Sequence, residues 1–200
     1  KRHNKRVRGG EEEESEEVET GEYVRRIKNK IYFHGDVNKL NALTLYEQID
    51  EATTWVLSQT NNIYNSRIYI YVHSNGGEVN VGFSIMDHIR FSKIPIITIA
   101  DGFVASAATF ILLAGYQRYG MPNCTILIHQ LSTEFWGKYV DMIDEMQNTH
   151  AIMDQLRTVY EQTTCLSQKR VNELLTKEIT LSVHECIEAG IFAAYSNDIF

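Results

Sequence analysis

The sequence predicts an α/β domain built on parallel strands, and three observations predict it. Apolar, β-branched or aromatic runs alternate with stretches whose apolar residues recur at helical spacing, in the order strand, helix, strand, helix, strand, helix. Parallel neighbours need crossovers of that kind, and such crossovers turn right-handed. With 200 residues, 44% of them hydrophobic, the chain is large enough for one substantial core.

The elements follow in chain order. Residues 1–22 stand apart: Lys1, Arg2, Lys5, Arg6 and Arg8 precede Gly9-Gly10, and Glu11 to Glu14, Glu16, Glu17, Glu19 and Glu22 follow. Blocks of like charge repel and bury nothing, so this segment is expected to be a mobile tail, a solvated arm or a docking arm ordered by assembly. The domain proper is placed at 23–200. Lys30 to Gly35 reads as a first strand and turn. Leu43, Tyr46, Ile49, Ala52 and Val56 define a helix, with Asn41 as its expected cap and Asn61-Asn62 as its stop. Arg67 to Val72 is a strand, and His73 to Gly77 a tight loop. Val79, Gly82, Phe83, Met86 and Ile89 mark a second helix. The run Ile94 to Ala100 is a buried strand, which Asp101-Gly102 is expected to break.

Small and apolar residues, Ser106 to Gly115, then form a helical pattern. Met121-Pro122-Asn123 is a turn and Thr125 to His129 a strand. Val140, Ile143, Met146, His150, Met153, Leu156 and Tyr160 give a long amphipathic helix. Its near-heptad stripe suits packing on another helix or subunit, or on the chain's own core. A short helix covers 167–176, and Glu178 to Leu181 looks extended. Ser182-Val-His-Glu185 is a capping box, and Gly190 suits the position just past the end of a helix over 183–189.

The bulk numbers exclude several classes. A net charge of -7, without clustered basic residues on the predicted helices, argues against nucleic acid as a partner. Three cysteines, Cys124, Cys165 and Cys186, are an odd set without metal-like spacing, which suits a reducing compartment and no disulfide framework. No run reaches the ~20 apolar residues of a membrane span, and no signal-peptide pattern opens the chain. No His, Cys, Asp or Glu set has zinc or iron spacing, and no phosphate-binding glycine motif is present.

The candidate chemistry is nucleophilic. Ser106 stands at a strand-to-helix turn, where free backbone N–H groups favour the negative charge of an acyl-transfer oxyanion. Serine is equally an ordinary helix cap. His129, at the carboxyl end of a strand, is the candidate base, because imidazole titrates near neutral pH. His34, His73, His88, His150 and His184 compete with it as residue types. Gly76-Gly77 supplies bare backbone that can approach a substrate closely.

Taken together, Ile31 to Val37, Ser74-Asn-Gly-Gly77, Gly102 to Ala108, Met121 to Cys124, Ile128-His-Gln130 and Leu181-Ser…Glu188-Ala-Gly-Ile191 resemble the ClpP family, the proteolytic subunits of the ATP-dependent Clp protease. The resemblance runs over residues 30 to 195, with the motifs in order and at matching distances. It implies a crotonase-like fold of repeated β-β-α units with a protruding strand-helix handle, here about 131–163. It implies Ser106 as nucleophile and His129 as base, with Gly77 and Ala107 as oxyanion donors. The family's acid is an Asp just before a Leu-Ser pair, and Glu178 holds that place. Leu131 and Asn75 stand where the family usually has Pro.

The implied function is a serine endopeptidase cleaving unfolded polypeptide in a chamber of two stacked seven-membered rings. The chain itself would carry no cofactor, and a separate AAA+ Clp unfoldase would use the ATP. Its place would be the cytoplasm or an organellar stroma or matrix. The rival readings are a catalytically degenerate ClpP-like subunit with a scaffolding role and a crotonase-type acyl-CoA enzyme, which would not need the Ser-His pair.

Overall fold

The computed structural model describes residues 23–60 and 65–195. The charged segment 1–22 and the helix stop at Asn61-Asn62 lie outside the described residues. A hairpin opens the fold: β1 (Val24–Ile27) pairs antiparallel with β2 (Lys30–Phe33) through a turn that holds Lys28 at φ 58. Then come α1 (Lys39–Gln59), β3 (Ile68–Ser74), α2 (Val79–Arg90), β4 (Ile96–Ala105) and α3 (Ala108–Leu113). The chain continues through β5 (Gln117–Gly120), β6 (Thr125–Leu127) and α4 (Tyr139–Thr163). It closes with α5 (Gln168–Thr176), β7 (Thr180–Leu181), α6 (Val183–Glu188) and β8 (Ala194–Tyr195).

The strands lie in the order β1-β2-β3-β4-β5-β8, and β2, β3, β4, β5 and β8 are parallel. The order advances in one direction, so right-handed crossovers set the helices on the same face. On that face Ile31, Phe33, Ile68, Ile70 and Val72 meet Leu45 and Ile49 of α1, Ile85 and Met86 of α2, and Phe110 and Ile111 of α3. Each such aliphatic or aromatic side chain contributes about 1.5–3 kcal/mol when fully buried. The alternate residues of the strands make a smaller apolar cluster, Tyr71, Ile97 and Ile99, flanked by Tyr32, Tyr69, Tyr119 and Met121. Tyr32 and Tyr71 stack there at 5.0 Å.

Two local expectations are corrected. The cap of α1 is Asn38, whose Oδ1 accepts from the Asn41 N–H at 2.9 Å. Asn41 is buried instead, and donates its Nδ2 to the Asp36 carbonyl at 2.8 Å. Asp101-Gly102 does not end β4, which runs for ten residues. Gly102 sits at φ +81, where the strand passes so close to His73 that a Cβ would meet the imidazole Nδ1 at 2.6 Å. The pairing with β3 slips there, between Val72 and Ser74. Before the bend, Ile97 to Ala100 pair with β5; beyond it, Phe103 to Ala105 pair with β6. The glycine re-aims the strand rather than stopping it, and the re-aimed end delivers Ser106.

The long helix α4 follows as expected, but the stripe divides. Leu156 and Tyr160, near its C-terminal end, are buried against the core. Tyr139, Val140, Met142, Ile143 and Met146 are exposed. Among the described residues, none in 128–138 joins a β-ladder, so no strand precedes α4 where the resemblance implies a strand-helix unit.

Candidate active site

Three chain segments leave the carboxyl ends of their strands side by side. The loop expected over His73 to Gly77 is shorter, since β3 runs through Ser74: Asn75 to Gly77 follow β3, Ser106 follows β4, and His129 lies two residues past β6. Ser106 adopts φ +54, a left-handed conformation that costs a non-glycine residue about 1–3 kcal/mol and persists only when its surroundings impose it. Those surroundings are explicit. The Ser106 N–H donates to the Leu127 carbonyl of β6 at 2.9 Å. Its carbonyl accepts from the Thr109 N–H at 3.0 Å and from the Thr109 hydroxyl at 2.6 Å. Gly76, at φ +102, closes the third side: a Cβ there would stand 2.6 Å from the Ser106 Cβ and 2.9 Å from the Ala105 carbonyl oxygen. Glycine at 76 is thus what lets the loop lie against the serine.

Ser106, His129, Gly77 and Ala107 line one cavity of about 240 Å³, whose apolar wall includes Phe110, Leu156 and Tyr160. Among the described residues, neither the Gly77 nor the Ala107 N–H makes a backbone hydrogen bond. The loop is held instead by its neighbours: the Val37 N–H donates to the Gly76 carbonyl at 2.8 Å, and the Glu78 N–H to the Val37 carbonyl at 2.7 Å. Two free amides beside a serine and an imidazole form a setting in which a developing oxyanion can be met by fixed donors.

Glu178 is not brought to this group. It is exposed and does not line the cavity, and no hydrogen bond or ion pair joins it to His129 among the described residues. The strand pairing nevertheless relates the two. In the antiparallel β6–β7 ladder Ile126 faces Leu181 and Leu127 faces Thr180, and the ladder stops there. Continuing the same register by two residues on each strand sets His129 opposite Glu178. Directly opposed residues bring their Cβ atoms to about 4.5–5.5 Å.

The two buried thiols do not compete with Ser106 as nucleophiles. Burial pushes the Cys124 thiol up to about 11 and the Cys186 thiol higher still, so neither readily forms a thiolate. A larger cavity of about 1040 Å³, near α1, holds His34 and His73, but its lining serine, Ser74, is buried with its hydroxyl accepting from the Gly76 N–H. Among the described residues no group of three His, Cys, Asp or Glu is placed to hold a metal ion, and no helix is long and apolar enough to cross a membrane.

The sequence reading missed the part played by Tyr160 and Thr109. Their hydroxyls lie 2.7 Å apart across 51 positions of sequence. It also missed that the Leu131 N–H reaches the Met153 sulfur at 3.4 Å, tying the segment after His129 to α4. No local pattern signals either contact.

The chain resembles known proteins in both sequence and fold. Residues 22–194 match the family model described as Clp protease. An ATP-dependent Clp protease proteolytic subunit 2 from Treponema denticola is 35% identical over 128 residues, covering 63% of this chain. The chain spans 64% of that relative's length. A Clp proteolytic subunit from Deinococcus radiodurans is 29% identical over 172 residues, 84% of this chain and 81% of its own. A mutant of ClpP1 from Listeria monocytogenes superposes with a TM-score of 0.72 at 24% identity, over 84% of this chain and 91% of that one. That likeness speaks to the fold.

Proposed function

Because the chain belongs to the Clp protease family, we propose that it is a serine endopeptidase subunit that cleaves unfolded polypeptide inside a ring-shaped chamber. One observation carries the reading: Ser106, held at φ +54, shares a cavity with His129 and with the free N–H groups of Gly77 and Ala107. Ser106 Oγ attacks the peptide carbonyl while His129 takes its proton. The amides of Gly77 and Ala107 hold the oxyanion. His129 then returns the proton to the leaving amine, and water releases the acyl group from Ser106.

Glu178 is proposed as the carboxylate that orients His129. Its register position supports the assignment, since two more pairs on the β6–β7 ladder oppose the two residues. The exposed apolar half of α4 supports assembly, with another copy of the chain covering Val140, Ile143 and Met146. Stacked rings, tetradecameric in the family's manner, and a separate AAA+ Clp unfoldase belong to the same proposal, as does a reducing compartment such as the cytoplasm, a stroma or a matrix. No cofactor enters the proposed hydrolysis; water is its co-substrate.

The test is intact-mass spectrometry after exposure to a fluorophosphonate. A single adduct that vanishes in Ser106→Ala is expected, together with cleavage of an unstructured peptide. An assembled protein that takes up no adduct would overturn the reading and leave a scaffolding subunit.

A further inference from the structure

Tyr160 sits in the cavity wall, 1% exposed, and the proposed chemistry leaves it without a task. A phenol hydroxyl removed from water needs a partner. Its partner is Thr109 Oγ1 at 2.7 Å. That same oxygen lies 2.6 Å from the Ser106 carbonyl. The direction of this chain follows from counting protons. A carbonyl only accepts, and a threonine hydroxyl has a single proton, so the Thr109 hydroxyl donates its one hydrogen bond to the Ser106 carbonyl. Tyr160 must then donate to Thr109. Burial also raises the phenol's pKa, so the proton this chain needs stays on Tyr160.

We infer that Tyr160 and Thr109 are positioning residues for the candidate nucleophile: their relay fixes the Ser106 carbonyl, and with it the left-handed backbone that aims Oγ into the cavity. This rests on the reading of Ser106 as the nucleophile. The elbow is gripped at both ends, its N–H by Leu127 of β6 and its carbonyl by Thr109 of α3. The relay adds a third anchor, α4, from a different part of the chain. The phenol ring is itself held in place. It lies 6.0 Å from the Phe110 ring, which stacks on Phe83 at 4.8 Å. Hydrogen bonds in series polarise one another, so the phenol strengthens the bond that reaches the serine. A residue that served packing alone would be replaced by phenylalanine without consequence, because only one oxygen is lost.

The test measures the rate at which a fluorophosphonate labels Ser106 in the full chain, with a thermal melt of each variant. Thr109→Val is expected to slow labelling about 10-fold and Tyr160→Phe about 3-fold, both short of the ~10²-fold of a full ångström misplacement. Thr109→Ser, which keeps the hydroxyl, stays within about 2-fold of the unmodified chain. The double variant Thr109→Val/Tyr160→Phe labels no more slowly than Thr109→Val, because the two act in series. Unmodified rates in both single variants, or effects that multiply in the double variant, overturn the relay. If Thr109→Val does not fold, Tyr160→Phe alone decides, and an unmodified rate there overturns it. If the unmodified chain is not labelled at all, the nucleophile reading fails separately. Amide exchange over 106–110 then decides the relay: faster exchange in Tyr160→Phe supports it, and unchanged exchange overturns it.

Discussion

The two halves of α4 carry the same apolar stripe and meet opposite fates. Toward the C-terminal end, Leu156 and Tyr160 are 3% and 1% exposed, packed among Phe110 and the core beneath the candidate site. Toward the N-terminal end, Tyr139 and Val140 are 77% and 63% exposed, with Met142, Ile143 and Met146 beside them. Periodicity is alike along the helix, so it cannot be what separates them. What differs is whether the rest of the chain reaches the stripe. The root covers the site from within. The tip is left uncovered along the first part of a helix whose 25 residues span about 38 Å. Contiguous apolar surface of that kind marks a place for a partner, in keeping with the proposed assembly.

The sharpest break in this comparison would come from the root. Leu156→Ala should cost about 3 kcal/mol of stability through lost burial and a cavity, read by denaturant unfolding. A loss within surface range would mean that the root is not packed as described. Next in size is the loop that leans on the serine. Gly76→Ala places a methyl against Ser106 at a backbone conformation alanine rarely adopts, and fluorophosphonate labelling should fall about 10²-fold. The tip should behave in the opposite sense to the root. Met142→Asp is expected to leave the fold of one copy within about 0.5 kcal/mol while sedimentation shows smaller assemblies. A large stability loss there would erase the distinction between the two halves.

The smallest effect belongs to solvent-facing charge on α5. The Lys177 ammonium and the Arg170 guanidinium hold the Glu173 carboxyl at about 2, below its usual 4.5. A depressed carboxyl pKa contributes stability above the ordinary value, and that contribution is lost as pH falls toward about 2. Glu173→Gln should therefore lower stability slightly at neutral pH, with the difference fading in acid and in high salt. Melting curves across that range check the sign.

Much of this was legible in the chain because it is local. The apolar run before Gly102, the Gly-Gly loop, the serine before a stretch of small residues and the capping box at Ser182 each involve neighbours in sequence. The box is present as read, with Ser182 and Glu185 bonding reciprocally. The short strands β1, β5 and β8 were not legible. Arg25-Arg26 and Gln117-Arg118 interrupt any apolar alternation; β1 becomes a strand by lying against β2, β5 by lying against β4, and the two-residue β8 by lying against β5. The cap of α1 moved from Asn41 to Asn38 because the buried Asn41 is needed for the Asp36 carbonyl.

By itself the sequence determined the α/β class, the resemblance to the family, and the residues that could carry the chemistry, since these depend on residue type, order and spacing. Only the tertiary structure decided how they meet. The bend at Gly102 that hands β4 from β5 to β6, the left-handed Ser106 pinned from two sides, and the Tyr160 hydroxyl reaching Thr109 are contacts between distant positions. Likewise, only the register of the β6–β7 ladder relates Glu178 to His129, and among the described residues no hydrogen bond or ion pair joins them. The physical reason is the same in each case: a side chain's type states which bonds it can make, and packing states which of them it makes.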